Sequence, residues 1–454
     1  MKFTFENLGY IDRGDITPGN LTIICGNNNV GKTYLNYAIY SFLYNISDTN
    51  FIEIDEKYIK DLLSNENIKI DLKTWKNNIT EIFSKYSSKF SENIHTFFST
   101  NEEFFHNSKV KLELLEYESD FSEPYKAQFF IGKKDSVKIF KDSNSSEVEF
   151  YINNESKNRI PEGIIEDIFS RTISRLLFKN ILKRPFIITS ERTGISLFYK
   201  ELDFAKNRMI EAISKETVPH PFQLIESMRA RYADSIKHNI DIIRNFDDNL
   251  KNKSFLQKDH KEEFVKLSKK ISEILNGSFK IVDKQILFET RKERNRDKVD
   301  LIPIYLTSSA TKSLFLLDIY IRSIAQTNDI LMIDEPELNL HPDNQIIIAR
   351  LLANLVNLGI DIIITTHSDY MIKEFNNLVM LSNEFSEKKS IMSKYKYESN
   401  DILEPNKVKA YFVDNHTIKE ANIDKYGIKM DLFDKTIMDI NAISNEIYYS
   451  LEEE

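Results

Sequence analysis

The residues with the clearest chemical potential lie in LTIICGNNNVGKTYLNYAIY, Leu21–Tyr40, where a polar turn between two glycines interrupts an apolar run. The spacing matches G-x-x-x-x-G-K-[ST], in which glycines let backbone N–H groups turn inward and the following helix directs its positive end to the same place. Anionic phosphate is the ligand that this geometry favours. We expect Lys32 to neutralise the β- and γ-phosphates of a nucleotide and Thr33 to bind Mg²⁺. The predicted phosphate loop (P-loop) consists of Gly26, Asn27, Asn28, Asn29, Val30, Gly31, Lys32 and Thr33.

A second group of chemically suited residues follows a short apolar run later in the chain. Ile330–Ile333 is typical of a buried strand, and it ends in the acids Asp334 and Glu335. The carboxyl end of such a strand is where open α/β sheets bind ligands. We expect Asp334 to hold Mg²⁺ through water and Glu335 to polarise an attacking water. A strand that simply ends in a polar turn is the alternative, which the P-loop disfavours.

A histidine follows the next predicted strand. Ile362–Thr366 is a near-continuous apolar run, and His367 comes directly after it. One predicted helix separates His367 from the two acids, so it belongs to the adjoining βα unit and can reach the same sheet edge. We expect a neutral imidazole there to contact the γ-phosphate.

Composition narrows the class of protein. The chain has 454 residues, of which 41% are hydrophobic, so it can form a large core. A formal net charge of −9 argues against coating nucleic acid through overall charge, although a local basic face stays open. The single cysteine, Cys25, excludes an internal disulfide and fits a reducing cytoplasm. Without a signal-peptide pattern or a long apolar run, we expect a soluble, cytoplasmic protein with no membrane partner.

Hydrophobic periodicity predicts the elements that position these residues. The strand LTIIC precedes the P-loop, and two apolar strands flank a helix from about Pro342 to Leu358, as in a parallel sheet covered on both faces. Residues 45–105 have helical spacing, and we expect them to form an exposed elaboration. Residues 196–275 are also helical but have no sustained heptad seam, which favours a short hairpin over a long coiled coil. Alternating runs over residues 109–153 predict a small antiparallel sheet.

Together, the P-loop, a long insertion, an apolar strand ending in Asp-Glu-Pro and a strand ending in His resemble the ATP-binding-cassette (ABC) class of ATPases. The soluble branch of that class includes the SMC, RecF and OLD proteins. The run DEPELNLHP, Asp334–Pro342, is similar to the RecF and OLD side. The resemblance implies ATP and Mg²⁺ as the bound groups, and it implies that Glu337–His341 touch a partner subunit. It covers roughly residues 1–45 and 180–380.

The resembled class also has a signature motif, usually L-S-G-G-Q, at the start of a helix ahead of the paired acids. Leu306–Ala310 reads LTSSA and precedes a predicted helix over Thr311–Ala325. Ser308 and Ser309 are suited to bind the γ-phosphate of a nucleotide held by a second subunit, because a helix amino terminus favours anions. Both glycines are missing, which predicts slow hydrolysis. An ordinary Ser/Thr helix cap is the alternative interpretation.

The expected fold class is α/β, an ABC-ATPase head with a mixed, largely parallel central sheet, an antiparallel β subdomain and an inserted helical lobe. The expected segments are the amino-terminal head with the P-loop (residues 1–45), a helical and antiparallel β insertion (46–180), a head strand (181–195), a helical lobe (196–275), the carboxy-terminal head (276–400) and a final strand and helix (401–454).

The resemblance also implies what the nucleotide does. In this class two heads close around ATP, so binding acts as a dimerisation switch and hydrolysis resets it; a homodimer or higher homo-oligomer is expected. The residues after His367 lack the D-x-D pair of a Toprim nuclease. We therefore expect control of a separate effector, a nuclease or toxin, similar to ATPase subunits of bacterial anti-phage systems such as Septu and PARIS. A RecF-like repair clamp that binds DNA directly is the alternative, and an ATPase that barely turns over is a third hypothesis.

Two further groups of residues each allow two interpretations. Ser190–Arg192 follows the predicted strand FIIT, and it either contacts Mg²⁺ or the attacking water, or forms a structural turn. Lys183, Arg184 and the run RKERNR, Arg291–Arg296, are the most basic local features. For that run the alternatives are a solvated loop and a contact with the phosphate backbone of DNA.

Overall fold

The computed structural model describes residues 1–48, 51–76, 78–115, 120–131, 135–153, 160–179, 181–198, 232–283, 285–291, 301–429 and 431–452. The chain divides into two compact units, one of residues 1–17 and 37–186 and the other of residues 18–36 and 187–454. A helix, Lys32–Asp48 (α1), and a strand, Arg184–Ile188 (β9), each contain residues of both units.

The first unit begins with a hairpin whose first strand alternates between partly exposed and buried side chains over Lys2–Phe5. Strands Lys2–Leu8 (β1) and Ile11–Ile16 (β2) pair antiparallel, and Lys109–Glu113 (β5) pairs antiparallel with the other edge of β1. Phe3 and Phe5 of β1 are fully buried. The period of two in KFTFENL predicts this arrangement, because successive side chains of a strand point to opposite faces.

A second, four-stranded sheet of the first unit is antiparallel throughout. Its order is β4-β8-β7-β6, formed by Asn67–Asp71 (β4), Glu147–Ile152 (β8), Asp135–Lys141 (β7) and Tyr125–Ile131 (β6). The antiparallel sheet expected over residues 109–153 is therefore present, with two corrections. Its first run, β5, pairs with β1 instead, and β4 comes from the stretch for which helices were predicted, where the alternating NIKID forms an edge strand.

Helices fill the rest of the described part of the first unit. They are Glu56–Asn65 (α2), Lys73–Lys76 (α3), Ile79–Glu92 (α4), Ile94–Phe97 (α5), Glu162–Phe178 (α6) and a 3₁₀ turn at Glu102–Phe104. The helical prediction for residues 45–105 is largely confirmed, but the stretch is not simply an exposed elaboration. Phe90 of α4 is buried with its ring centroid 4.9 Å from that of Phe42, and Phe83 lies 5.1 Å from Phe178.

The second unit contains the parallel strands that the apolar runs predict. Asp329–Asp334 (β13), Asp361–Thr366 (β14), Leu21–Cys25 (β3) and Val408–Asp414 (β15) lie side by side in parallel, and Thr417–Glu420 (β16) adds an antiparallel strand beside β15. All residues of β3, β13 and β14 are buried. Strands buried on both faces read as continuous apolar runs, which is why the sequence shows them clearly.

The other elements of the second unit are a small sheet and a set of helices. Gly277–Val282 (β10), Gln285–Thr290 (β11) and Leu301–Pro303 (β12) form an antiparallel sheet, and Ile423–Asp424 (β17) pairs with Gly427–Ile428 (β18). The helices are Asp234–Arg244 (α7), Phe246–Asn249 (α8), Phe255–Asp259 (α9), Lys261–Leu275 (α10), Ser309–Ile319 (α11), Pro342–Asn357 (α12), Asp369–Met380 (α13), Lys388–Lys394 (α14) and Asp431–Glu452 (α15). The second unit also contains short 3₁₀ turns at Ile304–Leu306, Ser399–Asp401 and Pro405–Lys407 and a π-helical turn at Tyr320–Ile324.

The predicted α/β class with a mixed sheet and a separate antiparallel sheet is confirmed. Of the predicted helical lobe, residues 199–231 lie outside the described residues, and the described remainder to Leu275 is helical. Residues 292–296 of the basic run Arg291–Arg296 also lie outside them. Among the helices that the structure describes, none is both long enough and apolar enough to cross a membrane.

Candidate nucleotide-binding site

Strand register brings the three predicted groups to one edge of the sheet in the second unit. Cys25, the last residue of β3, stands opposite Thr366 of β14, and Thr365 stands opposite Asp334 of β13. Because the three strands are parallel neighbours, the segments that follow them emerge at the same edge. The P-loop, His367 and Glu335 are those segments.

The P-loop has the backbone conformation that its glycines permit. Gly26 and Gly31 have φ angles of 151° and 102°, and Asn29 adopts a left-handed φ of 61°. A Cβ atom on Gly26 would lie 2.4 Å from the carbonyl oxygen of Val413, so this position excludes any larger residue. Helix α1 begins at Lys32, directly after the loop. The side chains of Asn27, Asn28 and Asn29 are exposed.

Lys32 lies at the centre of the site. Its Nζ donates to the carbonyl oxygens of Gly26 at 2.9 Å and Asn27 at 2.7 Å. Burial lowers the pKa of the Lys32 ammonium, and the negative charges of Glu335, Asp334 and Glu337 oppose that shift. The ammonium thus lies in the field of three carboxylates whose combined negative charge exceeds its own, so an anionic phosphate would need Mg²⁺ as well as Lys32 to balance it.

Thr33 and Asp334 meet directly, although 301 residues separate them in the chain. The Thr33 hydroxyl donates to Asp334 Oδ2 at 3.1 Å, and the Thr365 hydroxyl donates to Asp334 Oδ1. Burial raises the pKa of the Asp334 carboxyl, and the hydrogen bond from Thr365 opposes the shift. A hydroxyl beside a carboxylate supplies the hard oxygen ligands that Mg²⁺ takes, with water completing the shell. The residues present therefore fit the predicted metal.

Glu335 is held in a strained backbone conformation. Its φ is +51°, a left-handed value that costs free energy in a residue other than glycine. Its N–H donates to the carbonyl oxygen of Thr365 at 3.1 Å, and its carbonyl oxygen accepts from Arg192 at 2.6 Å. Its carboxylate Oε1 lies 3.5 Å from Nδ1 of His367. The two predicted catalytic groups are therefore neighbours in one chain.

Glu337 is a member of the site whose contacts the sequence analysis did not find. Its Oε1 accepts from the Thr366 hydroxyl at 2.8 Å and from the backbone N–H of His367 at 3.0 Å, and the side chain is buried. The resemblance placed Glu337 in a segment that touches a partner, whereas here it anchors His367 of its own chain. A second acid so soon after Glu335, in the turn after a buried strand, was the signal that could have shown it.

Within the segment Ser190–Arg192, Arg192 makes structural contacts. It is 2% exposed, and its guanidinium donates to the carbonyl oxygens of Ser313 at 3.1 Å, Asp334 at 2.8 Å and Glu335 at 2.6 Å. These contacts make Arg192 a structural brace between α11 and the end of β13. Glu191 is close enough for its negative charge to contribute to the raised pKa of Asp334.

Ser308 and Ser309 lie at the amino terminus of α11, which begins at Ser309 and not at Thr311. Ser308 caps that helix, because its Oγ accepts from the N–H of Thr311 at 3.1 Å. Both serines are exposed. The helix predicted to continue to Ala325 passes into a π-helical turn after Ile319. Among the described residues, the hydrogen bonds of Ser308 stay within its own helix, and neither serine side chain forms a hydrogen bond with the P-loop of the same chain.

Comparison with known proteins establishes the family. The sequence profile of the AAA_15 family, described as an AAA ATPase domain, matches residues 2–372. The chain belongs to this family of ABC-like P-loop ATPases. No curated protein matches the sequence.

Solved structures similar to this chain include three heads of SMC proteins. One is an SMC head domain from Thermotoga maritima, with 11% identity over 93% of this chain and 98% of that chain, and a TM-score of 0.30. Another, from Pyrococcus furiosus, is an SMC head with an extended coiled coil bound to the C-terminal domain of ScpA (14% identity, 98% of both chains, TM-score 0.32). A third is an SMC head bound to the C-winged helix domain of ScpA (13% identity, 92% of this chain and 96% of that chain, TM-score 0.32).

Proposed function

We propose that this protein binds and hydrolyses ATP with Mg²⁺, that a second copy completes the site, and that the resulting association controls a separate effector, a nuclease or toxin, in bacterial anti-phage defence. The observation that carries the first step is the meeting of Thr33 with Asp334 beside Lys32. Two segments far apart in sequence there present a cation, a hydroxyl and two carboxylates at the mouth of a P-loop.

The roles of the residues follow from their contacts. Backbone N–H groups of the P-loop and the ammonium of Lys32 would bind the phosphates. Thr33 and Asp334 would hold Mg²⁺, which when bound neutralises charge on the phosphate oxygens. Glu335, a quarter exposed, would orient and polarise the attacking water. His367, anchored through its backbone by Glu337, would contact the γ-phosphate.

The dimer step rests on the exposed amino terminus of α11. Ser308 and Ser309 face solvent, so they are accessible to a nucleotide held by another copy. A helix amino terminus favours a phosphate group, and ATP would then act as the bridge between two copies. The net charge of −9 supports a protein effector over DNA as the controlled partner.

The decisive experiment is single-turnover hydrolysis combined with mass photometry on wild type and Glu335→Gln. Loss of a residue that activates water should slow hydrolysis by about 100-fold or more and should accumulate an ATP-bound dimer. Asp343→Asn, whose side chain is 85% exposed in the first turn of α12, is the matched control and should behave as wild type. Equal rates for Glu335→Gln and wild type would remove Glu335 from the mechanism.

Partner control needs a separate measurement in the native host. Affinity purification of the Glu335→Gln variant with ATP should enrich a nuclease or toxin relative to Lys32→Ala, which should not bind nucleotide. A protein that stays monomeric and alone with or without ATP contradicts the effector proposal. Nucleotide-dependent DNA binding with a steep salt slope would instead support the repair-clamp alternative, because contacts with DNA phosphates release counterions.

A further inference from the structure

A cavity in the first unit has features that the proposed ATPase does not use. It has a volume of about 310 Å³ and lies between helix α6, strand β6 and the residues around Phe51. Its lining is mainly apolar and includes the rings of Phe51, Tyr125, Phe129 and Phe178. Cavities that bind small molecules start at roughly this size and are lined in this way. All of its lining residues belong to the first unit, whereas the P-loop, Asp334 and Glu335 belong to the second.

One wall of the cavity carries a row of cations. Arg171, Arg175 and Lys179 are spaced four residues apart, so they lie along one face of α6 and its end. Lys179 pairs with Glu123. Among the described residues, neither Arg171 nor Arg175 has a carboxylate within ion-pair distance, and both are exposed. Arg175 lies over the Tyr125 ring, 5.6 Å from its centroid.

The electrostatic setting adds to this positive charge. Lys141, on strand β7, is buried, and its Nζ donates to the carbonyl oxygens of Phe121 and Glu123 at 2.7 Å each. Burial lowers the pKa of the Lys141 ammonium and the nearby charge of Lys179 lowers it further, while the negative charges of Asp120, Asp142 and Glu123 oppose the shift. Arg171, Arg175 and Lys179 carry like charges four residues apart, so they repel one another, and a bound anion would reduce that repulsion.

Two buried hydroxyl groups of the lining have no partner among the residues that the structure describes. Thr172 is 2% exposed, and its Oγ1 has no hydrogen-bond partner in that part of the chain; the same holds for Oγ of Ser174. Ser170 on the same helix shows the usual situation, because its Oγ donates to the carbonyl oxygen of Ile52 at 2.8 Å. Buried polar atoms are nearly always paired in folded proteins. Unpaired hydroxyls beside a cavity therefore point to a ligand or water that pairs with them.

We propose that this cavity binds a small organic anion with a flat aromatic body. The anionic group pairs with Arg171 and Arg175, and the aromatic body lies among Phe51, Phe129 and Tyr125. Arginine favours planar carboxylates because its guanidinium donates two parallel hydrogen bonds. The aromatic lining favours a ring over an alkyl chain, since rings gain from edge and stacked contacts. The hydroxyl of Thr172 is available for a further hydrogen bond.

Isothermal titration calorimetry with 2-naphthoate tests the proposal on the full chain. ADP and Mg²⁺ at saturation keep the probe away from the P-loop. Wild type should bind the probe with a Kd below about 1 mM, and the neutral analogue 2-naphthylmethanol should bind at least about 10-fold more weakly. Acetate, which has the charge without the ring, should show no measurable binding. Equal affinity for the neutral analogue would overturn the proposal, as would no binding of naphthoate to wild type.

Variants then locate the site. The double variant Arg171→Gln, Arg175→Gln should weaken naphthoate binding by about 10-fold or more, because each arginine supplies a charged hydrogen bond. Both side chains are exposed, so the fold should persist, which an unchanged thermal midpoint checks. Arg13→Gln, an exposed arginine of β2 in the same unit, is the matched control. Thr172→Val removes only the hydroxyl and should weaken binding by a few-fold. Equal weakening by Arg13→Gln, or unchanged binding by the double variant, would refute this location.

Discussion

The strand edge that presents Asp334 and the amino terminus of α11 that presents Ser308 belong to the same unit, but their side chains are fixed to different degrees. At the strand edge, Asp334 is buried and bonded by hydroxyls from two other elements. At the helix start, Ser308 is exposed, and within the described part of the chain its hydroxyl is bonded only to Thr311 of its own helix. The first arrangement is typical of a preorganised catalytic site. The second suits a surface that binds its ligand only when another copy of the chain supplies it.

Arg192 is the physical connection between these two regions, and its loss should have the largest effect. Its guanidinium bonds the carbonyls of Asp334 and Glu335 at one side and of Ser313 in α11 at the other. Lysine cannot form this fork. Arg192→Lys should therefore let the left-handed turn at Glu335 shift, and a displacement of about 1 Å can cost about 100-fold in turnover. Steady-state ATPase assays should show that fall in kcat with KM little changed.

The matched control for this prediction is Arg184→Lys, at the exposed start of the strand that leads to Arg192. It should keep wild-type kcat. Arg192→Ala should be worse than Arg192→Lys and should also unfold more easily, because it leaves several buried carbonyl oxygens without donors. A normal kcat in Arg192→Lys, or a loss confined to KM, would show that the brace does not position Glu335.

The serines at the start of α11 should give a smaller effect that separates association from folding. Ser309→Ala should lower ATP-dependent dimer formation and turnover by about 10-fold, since it removes one hydrogen bond to phosphate but no cap. Ser308→Ala should lower both to a similar degree and should also reduce the free energy of unfolding by about 1 kcal/mol, because Ser308 caps the helix. Mass photometry and thermal melting distinguish the two effects.

Ser393→Ala, at an exposed position of α14, is the matched control for both serine variants. It should change neither association nor stability. Normal dimer formation by Ser309→Ala would contradict the role proposed for the start of α11. That helix start would then be an ordinary Ser/Thr cap, which is the alternative interpretation of the sequence.

The same two regions show what the sequence could predict. The P-loop, Asp334 and Glu335 were found because each lies next to an apolar strand whose run of buried residues is visible in the sequence. The pairing of Thr33 with Asp334 needed only the parallel order of those strands. The contacts of Arg192 and Glu337 could not be predicted, because a guanidinium or carboxylate that bonds to backbone groups produces no recognisable spacing of residues in the sequence. The cavity in the first unit was missed for a similar reason, since its residues come from three separate stretches.

The smallest expected effect tests how well the strand edge excludes water. Cys25 ends β3 directly before the P-loop, is fully buried, and donates its thiol hydrogen to the carbonyl oxygen of Tyr411 at 3.3 Å. Burial raises the pKa of the Cys25 thiol to about 12, against about 8.5 for a free thiol. The unfolded chain therefore loses this proton first. The contribution of Cys25 to stability is present below about pH 8.5 and falls as pH rises toward 12. Between pH 7.5 and 9, urea unfolding should show that the free energy of unfolding of wild type falls by about 0.8 kcal/mol more than that of Cys25→Ala. Because all other titrating groups are the same in both proteins, the comparison cancels their contributions.

Parallel pH curves for the two proteins would mean that the thiol ionises in the folded state as easily as in the unfolded one. The strand edge beside the P-loop would then be hydrated. Asp334 and the serines of α11 would differ less in their access to water than the structure indicates.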